Sequence, residues 1–279
     1  MSATVQAPGS VLVGVDGSAH NTSAVAWAAA EALSSSATLV LVHDDGGAGG
    51  AAARATLDRA AAEALQVDRD LRVVARVATD AGPAAGLVRS AREEQLRADD
   101  EDGSVGTEPV VVVGRRGAGG FREMTLGSTA RRLAHQPDGP VTVIVPSGWD
   151  PSDVGQDAPV VVEAVSDHAL AFATARAVRL GRGLVAVSSW SVPADEAMAG
   201  LPIPQVWSVH ADRAEQRLEE TLRPWRAAYP GLEVVAVATD RHPVAALLDQ
   251  GIGAELLVVP RGTTAAAVVE HTECPVAVV

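Results

Sequence analysis

The sequence predicts an α/β protein made of two tandem open parallel five-stranded sheets, each flanked by helices in a Rossmann-like layout. Short valine- and leucine-rich runs alternate with longer stretches of helical periodicity along the 279 residues. This alternation is typical of parallel strands joined by right-handed helical crossovers. The cycle restarts in the middle of the chain, and the length suits about two domains. We therefore expect a first domain over 1–147, a linker rich in Pro, Gly, Ser and Asp over 148–158, and a second domain over 159–279.

In the first part, strands and helices alternate in strict order. Ser18 stands where an N-cap is typical, and Pro83 stands where a first helical residue is typical. The predicted strands cover 10–15, 37–43, 71–78, 110–114 and 141–145. The predicted helices cover 18–34, 51–67, 83–97 and 127–135, and an acidic surface loop is expected over 98–108.

The second part repeats the first. The pattern Val-Ala-Thr-Asp-x-x-Pro stands at 77–83 and again at 237–243. Duplication is the simplest account of this repeat. The corresponding elements are strands over 159–162, 184–189, 256–259 and 276–279 and helices over 169–180 and 210–228.

The most informative stretch follows the fourth strand, in the pattern G-x2-G-x9-G-S. Gly114 and Gly117 follow a run of valines, and Gly127 with Ser128 opens the next helix. Glycines let a phosphate approach the backbone closely, and the first amides of a helix have no partner within it. Hydroxyl and guanidinium donors are available from Ser128, Thr129, Arg115 and Arg116. The pattern predicts an anion site, and an ordinary strand-to-helix turn is the alternative.

This spacing resembles the ATP-binding signature of the universal stress protein family. Two further blocks resemble the same family in the right order, a first strand with an acidic turn at 11–18 and a closing strand at 140–145. The resemblance implies the strand order 3-2-1-4-5, in which strands one and four flank the ligand crevice. Because ligands bind outside the carboxyl ends of such strands, Asp16 and Gly114 are expected to meet there.

The resemblance also implies which residues hold ATP. Val15 and Asp16 are placed at the nucleoside end, and the backbone near Asp44 faces the adenine. The triphosphate is held by the glycine loop and the helix start, through Gly114, Arg115, Arg116, Gly117, Gly127, Ser128 and Thr129. Mg²⁺ could accompany the nucleotide. No catalytic residue and no metal-binding residue is predicted.

Three alternatives stay open. Asp16 either contacts the nucleoside or only caps the first helix. The guanidinium groups of Arg115 and Arg116 either contact phosphate or lie in solvent. His43, at the end of the second strand, belongs either to the structure of the strand or to the site.

The second part has lost this motif. The interval from Gly114 to Pro140 spans 26 positions, whereas the matching interval from Pro260 to Pro275 spans 15. The acidic turn is replaced by a sequence without glycines at 163–167. Since helix amides hold phosphate only where the loop brings them to the strand end, we expect one nucleotide per chain, in the first part.

Composition excludes several classes of function. All 22 basic residues are arginine, so a Walker A loop, a kinase lysine and a Schiff-base lysine are excluded. One cysteine cannot form a disulfide framework. The net charge of −13 opposes binding to nucleic acid and to anionic membranes. The polar start of the chain and the lack of a long apolar run predict a cytoplasmic protein without a membrane span.

We therefore expect a non-catalytic, ATP-binding stress-response or regulatory protein with a regulatory protein partner. The alternatives are a weak ATPase or phosphotransferase on the same fold, and a nucleotide-independent interaction scaffold.

The closing strands at 141–145 and 276–279 are short apolar edges, which need cover. They are expected to pair with each other as a pseudo-dimer within the chain, or with a second chain as a homodimer. The long connection over 189–208 either covers the sheet edge or meets a partner.

Overall fold

A computed structural model describes residues 9–47, 50–79, 82–102, 108–117, 126–193 and 203–279. These residues form three layers, with one sheet between two layers of helices. The first half contains β1 (Ser10–Gly14), α1 (Thr22–Ser35), β2 (Thr38–Asp44), α2 (Ala51–Val67), β3 (Val73–Ala78), α3 (Pro83–Asp102), β4 (Val110–Gly114), α4 (Ser128–His135) and β5 (Val141–Val145). The second half contains β6 (Val160–Glu163), α5 (Asp167–Leu180), β7 (Leu184–Ser189), α6 (Ile203–Ala228), β8 (Val234–Thr239), α7 (Pro243–Gln250), β9 (Leu256–Val259), α8 (Thr263–His271) and β10 (Val276–Val278).

The strand order confirms the predicted topology in both halves. The sheet runs β3-β2-β1-β4-β5-β10-β9-β6-β7-β8, so each half has the order 3-2-1-4-5 read from its outer edge. Within each half all neighbouring strands are parallel. The two five-stranded sheets join at β5 and β10 into a single ten-stranded sheet.

The joint between the halves is the antiparallel pair β5 and β10. Ile144 lies opposite Val276, and Val143 lies opposite Ala277. All four side chains are 0–1% exposed. The pairing within the chain confirms that the two closing strands cover each other, and it removes two sheet edges that would otherwise be open to another chain.

Two hydrophobic cores fill the space between the layers, and each extends across both halves. Val11 and Val13 point to the core under α1, α2, α5 and α6, whereas Leu12 points to the core under α3, α4, α7 and α8. The inner strands are largely buried on both faces, which is why they read as continuous apolar runs rather than as an alternating pattern. The two edge strands, β3 and β8, are partly exposed. The described residues contain no helix that combines the length and the apolar character needed to cross a membrane.

Several predicted boundaries are wrong. A short 3-10 turn at Ala19–Asn21 precedes α1, and the side chain of Ser18 makes no cap hydrogen bond there. The helix α3 continues to Asp102, into the expected acidic loop, whose residues 103–107 lie outside the described part. Glu94 of α3 forms a salt bridge with Arg76 of β3 at 2.7 Å, which connects the helix to the sheet. It forms a second salt bridge within the helix, with Arg97, at 2.6 Å.

The helix α6 begins at Ile203, seven residues before the predicted start at 210. Its residue Trp207 packs edge-to-face on Trp190, which follows β7, with ring centroids 5.6 Å apart. This contact holds one end of the predicted 189–208 connection against the sheet. Residues 194–202 of that connection, including Met198, lie outside the described part.

A buried charge cluster ties α1 to α5 across the joint. Glu31 is 1% exposed and forms salt bridges with Arg176 and Arg179. Arg176 also binds Glu255 at 2.8 Å and lies 4.5 Å from the ring centre of Trp27. Burial lowers the pKa of Arg176 to about 10, whereas the charge of Glu255 acts in the opposite direction.

Glu31 and Arg176 occupy equivalent positions in the two halves. The C-cap residues of α1 and α5 are Ser36 and Gly181. Each has a left-handed backbone, and its N–H donates to carbonyl oxygens of the last helical turn. Glu31 stands five residues before the first cap, and Arg176 stands five before the second. The duplication has therefore placed opposite charges at one and the same position, where they neutralise each other.

We predict that Glu31→Ala lowers the free energy of unfolding by about 3–5 kcal/mol, because it removes the buried carboxylate that Arg176 and Arg179 share and leaves Arg176 with Glu255 alone. The control is Asp249→Ala, which removes an exposed ion pair with Arg241 and should cost at most about 1 kcal/mol. Urea denaturation of both variants measures the difference. Equal losses in the two variants would contradict a structural role for the buried cluster.

Candidate functional site

The crevice lies where the strand order reverses, between β1 and β4. From this point the chain builds outward through β2 and β3 on one side and through β5 on the other. The carboxyl ends of β1 and β4 open into a cavity of about 330 Å³. Ligands of open α/β sheets bind at such a position, because the loops after the two strands diverge and leave room.

Nine of the ten residues predicted for the site line this one cavity. They come from the turn after β1, the end of β2, the loop after β4 and the first turn of α4. The nine are Val15, Asp16, Asp44, Gly114, Arg116, Gly117, Gly127, Ser128 and Thr129. The spacer between Gly117 and Leu126, over 118–125, lies outside the described residues.

Asp16 organises the turn after β1. Its Oδ1 accepts hydrogen bonds from the Ser18 N–H at 2.9 Å and from the Ser18 hydroxyl at 2.8 Å. Gly17, between them, has a φ of +77°, in the left-handed region that favours glycine. These bonds form a turn ahead of the 3-10 turn at Ala19–Asn21 and do not cap α1, whose N-cap is Asn21. The carboxylate of Asp16 also lies at the cavity wall.

The glycine loop approaches Asp16 very closely. A Cβ built on Gly117 would lie 2.7 Å from Oδ2 of Asp16. At Gly127 a Cβ would lie 3.3 Å from the carbonyl oxygen of Arg115, and the Gly127 N–H donates to that same oxygen at 2.8 Å. The two glycines thus allow the loop and the helix start to close around one small volume.

The start of α4 faces the cavity with its backbone. Gly127 is the N-cap residue, so no side chain at that position covers the first amides of the helix. Ser128, Thr129 and Ala130 of the first turn all line the cavity. Amides that lack intrahelical partners, together with the positive end of the helix dipole, favour an anion.

The opposite wall of the cavity is apolar, and the sequence did not mark it as part of the site. It consists of Val42, Pro83, Leu87 and Val113. Pro83 and Leu87 belong to the internal repeat, so the signal that could have found them was present in the sequence. Leu87 also explains why β1 ends in glycine, since a Cβ on Gly14 would lie 2.9 Å from its Cδ1.

Two polar side chains complete the wall. Asn21 is 6% exposed, and its Nδ2 donates to the carbonyl oxygen of Gly14 at 2.8 Å. His43 Nδ1 lies 2.7 Å from the carbonyl oxygen of Val15. Because a carbonyl only accepts, Nδ1 is the donor in this hydrogen bond. His43 thus serves the strand and lines the site, whereas no local pattern marks Asn21.

Arg115 is the predicted residue that the structure does not bring to the cavity. Its guanidinium donates to the carbonyl oxygen of Thr272, in the second half, at 2.6 Å. Burial lowers its pKa, with a further contribution from the charge of Arg116. Arg116, its neighbour in sequence, does line the cavity.

The equivalent crevice of the second half has different walls. Glu163 stands at the place of Gly14, since Gly14 pairs with Val42 and Glu163 pairs with Val187 at the ends of matching strands. Burial raises the pKa of the Glu163 carboxyl. Val165, 63% exposed, takes the place of Asp16. A carboxylate and an isopropyl group therefore replace the glycine and the acidic turn.

The comparisons with known proteins agree with this architecture. The model of the universal stress protein family matches residues 9–145. A universal stress protein of Mycolicibacterium smegmatis is 30% identical over 258 residues, which cover 89% of this chain and 85% of that relative. This chain belongs to the universal stress protein family. A universal stress protein of Mycobacterium tuberculosis is 29% identical over 265 residues, with 89% and 85% of the two chains covered.

Solved structures of the family share the fold along the whole chain. A universal stress protein from Archaeoglobus fulgidus has a TM-score of 0.67 at 14% sequence identity, and the match covers 99% of this chain and 97% of that one. The crystal structure of a putative universal stress protein from Pseudomonas aeruginosa has a TM-score of 0.60 at 16% sequence identity. The match covers 99% of this chain and 94% of that one. At these identities the likeness concerns the fold alone.

We predict that Asp16→Ala lowers the free energy of unfolding by about 1 kcal/mol, because the Ser18 N–H loses its acceptor. Asp16→Asn should retain most of this stability, since the amide oxygen can accept the same bonds. Urea denaturation of the two variants beside the wild type measures both effects. An asparagine variant as unstable as the alanine variant would contradict the turn-forming role.

Proposed function

We propose that this universal stress protein binds one ATP per chain, in the crevice of its first half, and acts as a regulatory or stress-response module without enzymatic turnover. The observation that carries the proposal is the composition of the cavity. One wall is apolar, and the other is made of glycine backbone and the open first turn of α4. A nucleoside triphosphate has the matching division between a flat base and a chain of phosphates.

The dimensions of the cavity support a ligand of this class. Its volume of about 330 Å³ lies within the range of small-molecule and cofactor sites. Val42, Pro83 and Leu87 suit the faces of a purine. The helix start at Ser128 and Thr129 suits a phosphate, because both the amides and the hydroxyls are donors.

In this arrangement the residues divide the nucleotide between them. Val15 and Asp16 contact the nucleoside end, and Asp44 lies beside the base. The phosphates lie against the loop and helix start formed by Gly114, Arg116, Gly117, Gly127, Ser128 and Thr129. A side chain at either glycine would displace the groups that form this site, because a Cβ on Gly117 would meet Asp16 Oδ2 and a Cβ on Gly127 would meet the carbonyl oxygen of Arg115.

Mg²⁺ would enter with the nucleotide rather than bind to a protein cage. Among the described residues there is no group of three or more His, Cys, Asp or Glu side chains that could hold a metal ion. Mg²⁺ keeps several waters and commonly binds through substrate phosphates and one or two carboxylates. The carboxylate of Asp16 is close enough to the loop to be one such ligand.

The groups at the cavity wall support the proposed absence of turnover. Its titratable acids and bases within the described residues are Asp16, His43 and Asp44. Asp16 holds the turn at Ser18, and His43 holds the carbonyl of Val15. No pair of them has the geometry of a general base with an orienting partner.

The proposal also places the protein in the cytoplasm, where its output is contact with a regulatory protein partner.

The first test identifies the ligand and counts it. Mass spectrometry of material released from the purified full chain should detect adenine nucleotide, and calorimetry with ATP should give one site per chain. Gly127→Val should abolish binding, because its branched side chain meets the Arg115 carbonyl and the phosphate space. Asp16→Asn should weaken binding while it preserves stability.

Thr263→Val, at the start of α8 in the second half, is the matched control and should bind ATP as the wild type does. Two equivalent sites per chain, or loss of binding in the control alone, would contradict the proposed site. A turnover of about 1 per second or more that is lost in Asp16→Asn would identify an enzyme instead. Hydrolysis on a scale of hours is compatible with a regulatory role.

A further inference from the structure

Two arginines at equivalent positions each cross from their own half to the other. Arg115 follows β4, and its N–H donates to the carbonyl oxygen of Val145 at 2.7 Å. Arg261 follows β9, and its N–H donates to the carbonyl oxygen of Val279 at 2.9 Å. Both residues are therefore fixed beside the joint between β5 and β10, and their side chains extend across it.

Each guanidinium binds carbonyl oxygens at the end of a helix in the opposite half. Arg115 donates to Thr272 O, at the carboxyl end of α8, at 2.6 Å. Arg261 donates to Leu133 O, in the last turn of α4, at 3.0 Å and to Gly139 O at 2.9 Å. Unpaired carbonyls and the negative end of the helix dipole favour a cation at this position.

The two contacts differ in what they connect. The carbonyl of Arg115 accepts the Gly127 N–H at 2.8 Å, so this residue also fixes the loop to the first turn of α4. Its neighbours Arg116 and Gly117 line the cavity. Arg261 contacts α4 at the opposite end, five residues after the helix begins at Ser128.

We propose that Arg115 is a positioning residue for the nucleotide, through which the second half stabilises the ligand-binding loop of the first. This inference rests on the proposed function. The guanidinium of Arg115 anchors the loop to Thr272, and the carbonyl oxygen of Arg115 positions the start of α4. The second half, which carries Glu163 at the place of Gly14, thereby contributes to the affinity of the first site without contacting the ligand.

The inference distinguishes positioning from direct contact. A guanidinium that touched phosphate would contribute a charge interaction that weakens with ionic strength. An anchor between Arg115 and a buried carbonyl is screened much less, since Thr272 is 5% exposed. The loss of affinity on removing Arg115 should therefore be the same at low and high salt.

The experiment compares Arg115→Ala with Arg261→Ala in the full chain, by calorimetry with ATP at a temperature where both variants are folded by circular dichroism. Each substitution removes one half-buried arginine that crosses the joint, so both should lower the melting temperature. Arg115→Ala should also raise the Kd for ATP by roughly 3- to 30-fold. Arg261→Ala should leave the Kd within threefold of the wild-type value. If Arg115→Ala unfolds, Arg115→Met, which retains the apolar stem, replaces it.

Three results would overturn the inference while the wild type still binds ATP. The Arg115 variants could bind within threefold of the wild type, Arg261→Ala could lose as much affinity as they do, or their loss could disappear at high salt. Absence of ATP binding by the wild type would instead refute the proposed function, and the role of Arg115 with it.

Discussion

The antiparallel pair of β5 and β10 is the interaction on which the rest of the structure depends. Each strand is the last of its half, and each would present an open, apolar edge on its own. Their pairing buries Ile144 and Val276 completely and joins two five-stranded sheets into one. It also sets the pseudo-twofold relation that brings α1 against α5 and lets Arg115 and Arg261 reach across the joint.

This relation accounts for the divergence of the two halves. Glu31 and Arg176 stand at equivalent positions, and they neutralise each other only when unlike halves meet. Two first halves in the same arrangement would bury two glutamates side by side. The opposite charges therefore select the tandem partner and disfavour the symmetric alternative, which is how interfaces commonly gain specificity.

The divergence also separates the tasks of the halves. The first retains glycines where a Cβ would meet a neighbouring group closely, at Gly14, Gly117 and Gly127. The second carries Glu163 at the place of Gly14, and its loop after β9 is shorter. In the proposed account the second half has lost its own nucleotide site and stabilises the ligand-binding loop of the first half through Thr272.

Much of the fold could be predicted from the sequence because its signals are local. Parallel strands buried on both faces appear as runs such as 110–113, and the glycine loop marks the crevice. The α6 boundary could not be predicted, since it depends on the packing of Trp207 on Trp190. The continuation of α3 over 98–102 was missed because its acidic residues were interpreted as a surface loop.

The site shows the same division. Nine of its ten predicted residues follow strand ends or open a helix, where topology alone brings them together. Arg115 and Arg116 are identical neighbours, and only the carbonyl of Thr272 in the second half decides that one of them turns away. The apolar wall was missed because Pro83 and Leu87 read as parts of a repeat rather than of a site.

Hydrogen–deuterium exchange of the full chain, with and without saturating ATP, tests most directly the claim that one half binds and the other supports. The account predicts slower exchange at 114–117 and at 127–129 on addition of ATP. It predicts no change at the equivalent segment of the second half, 260–264, which holds the loop after β9 and the start of α8. Equal protection of the two halves, or no protection at the loop after β4, would contradict it.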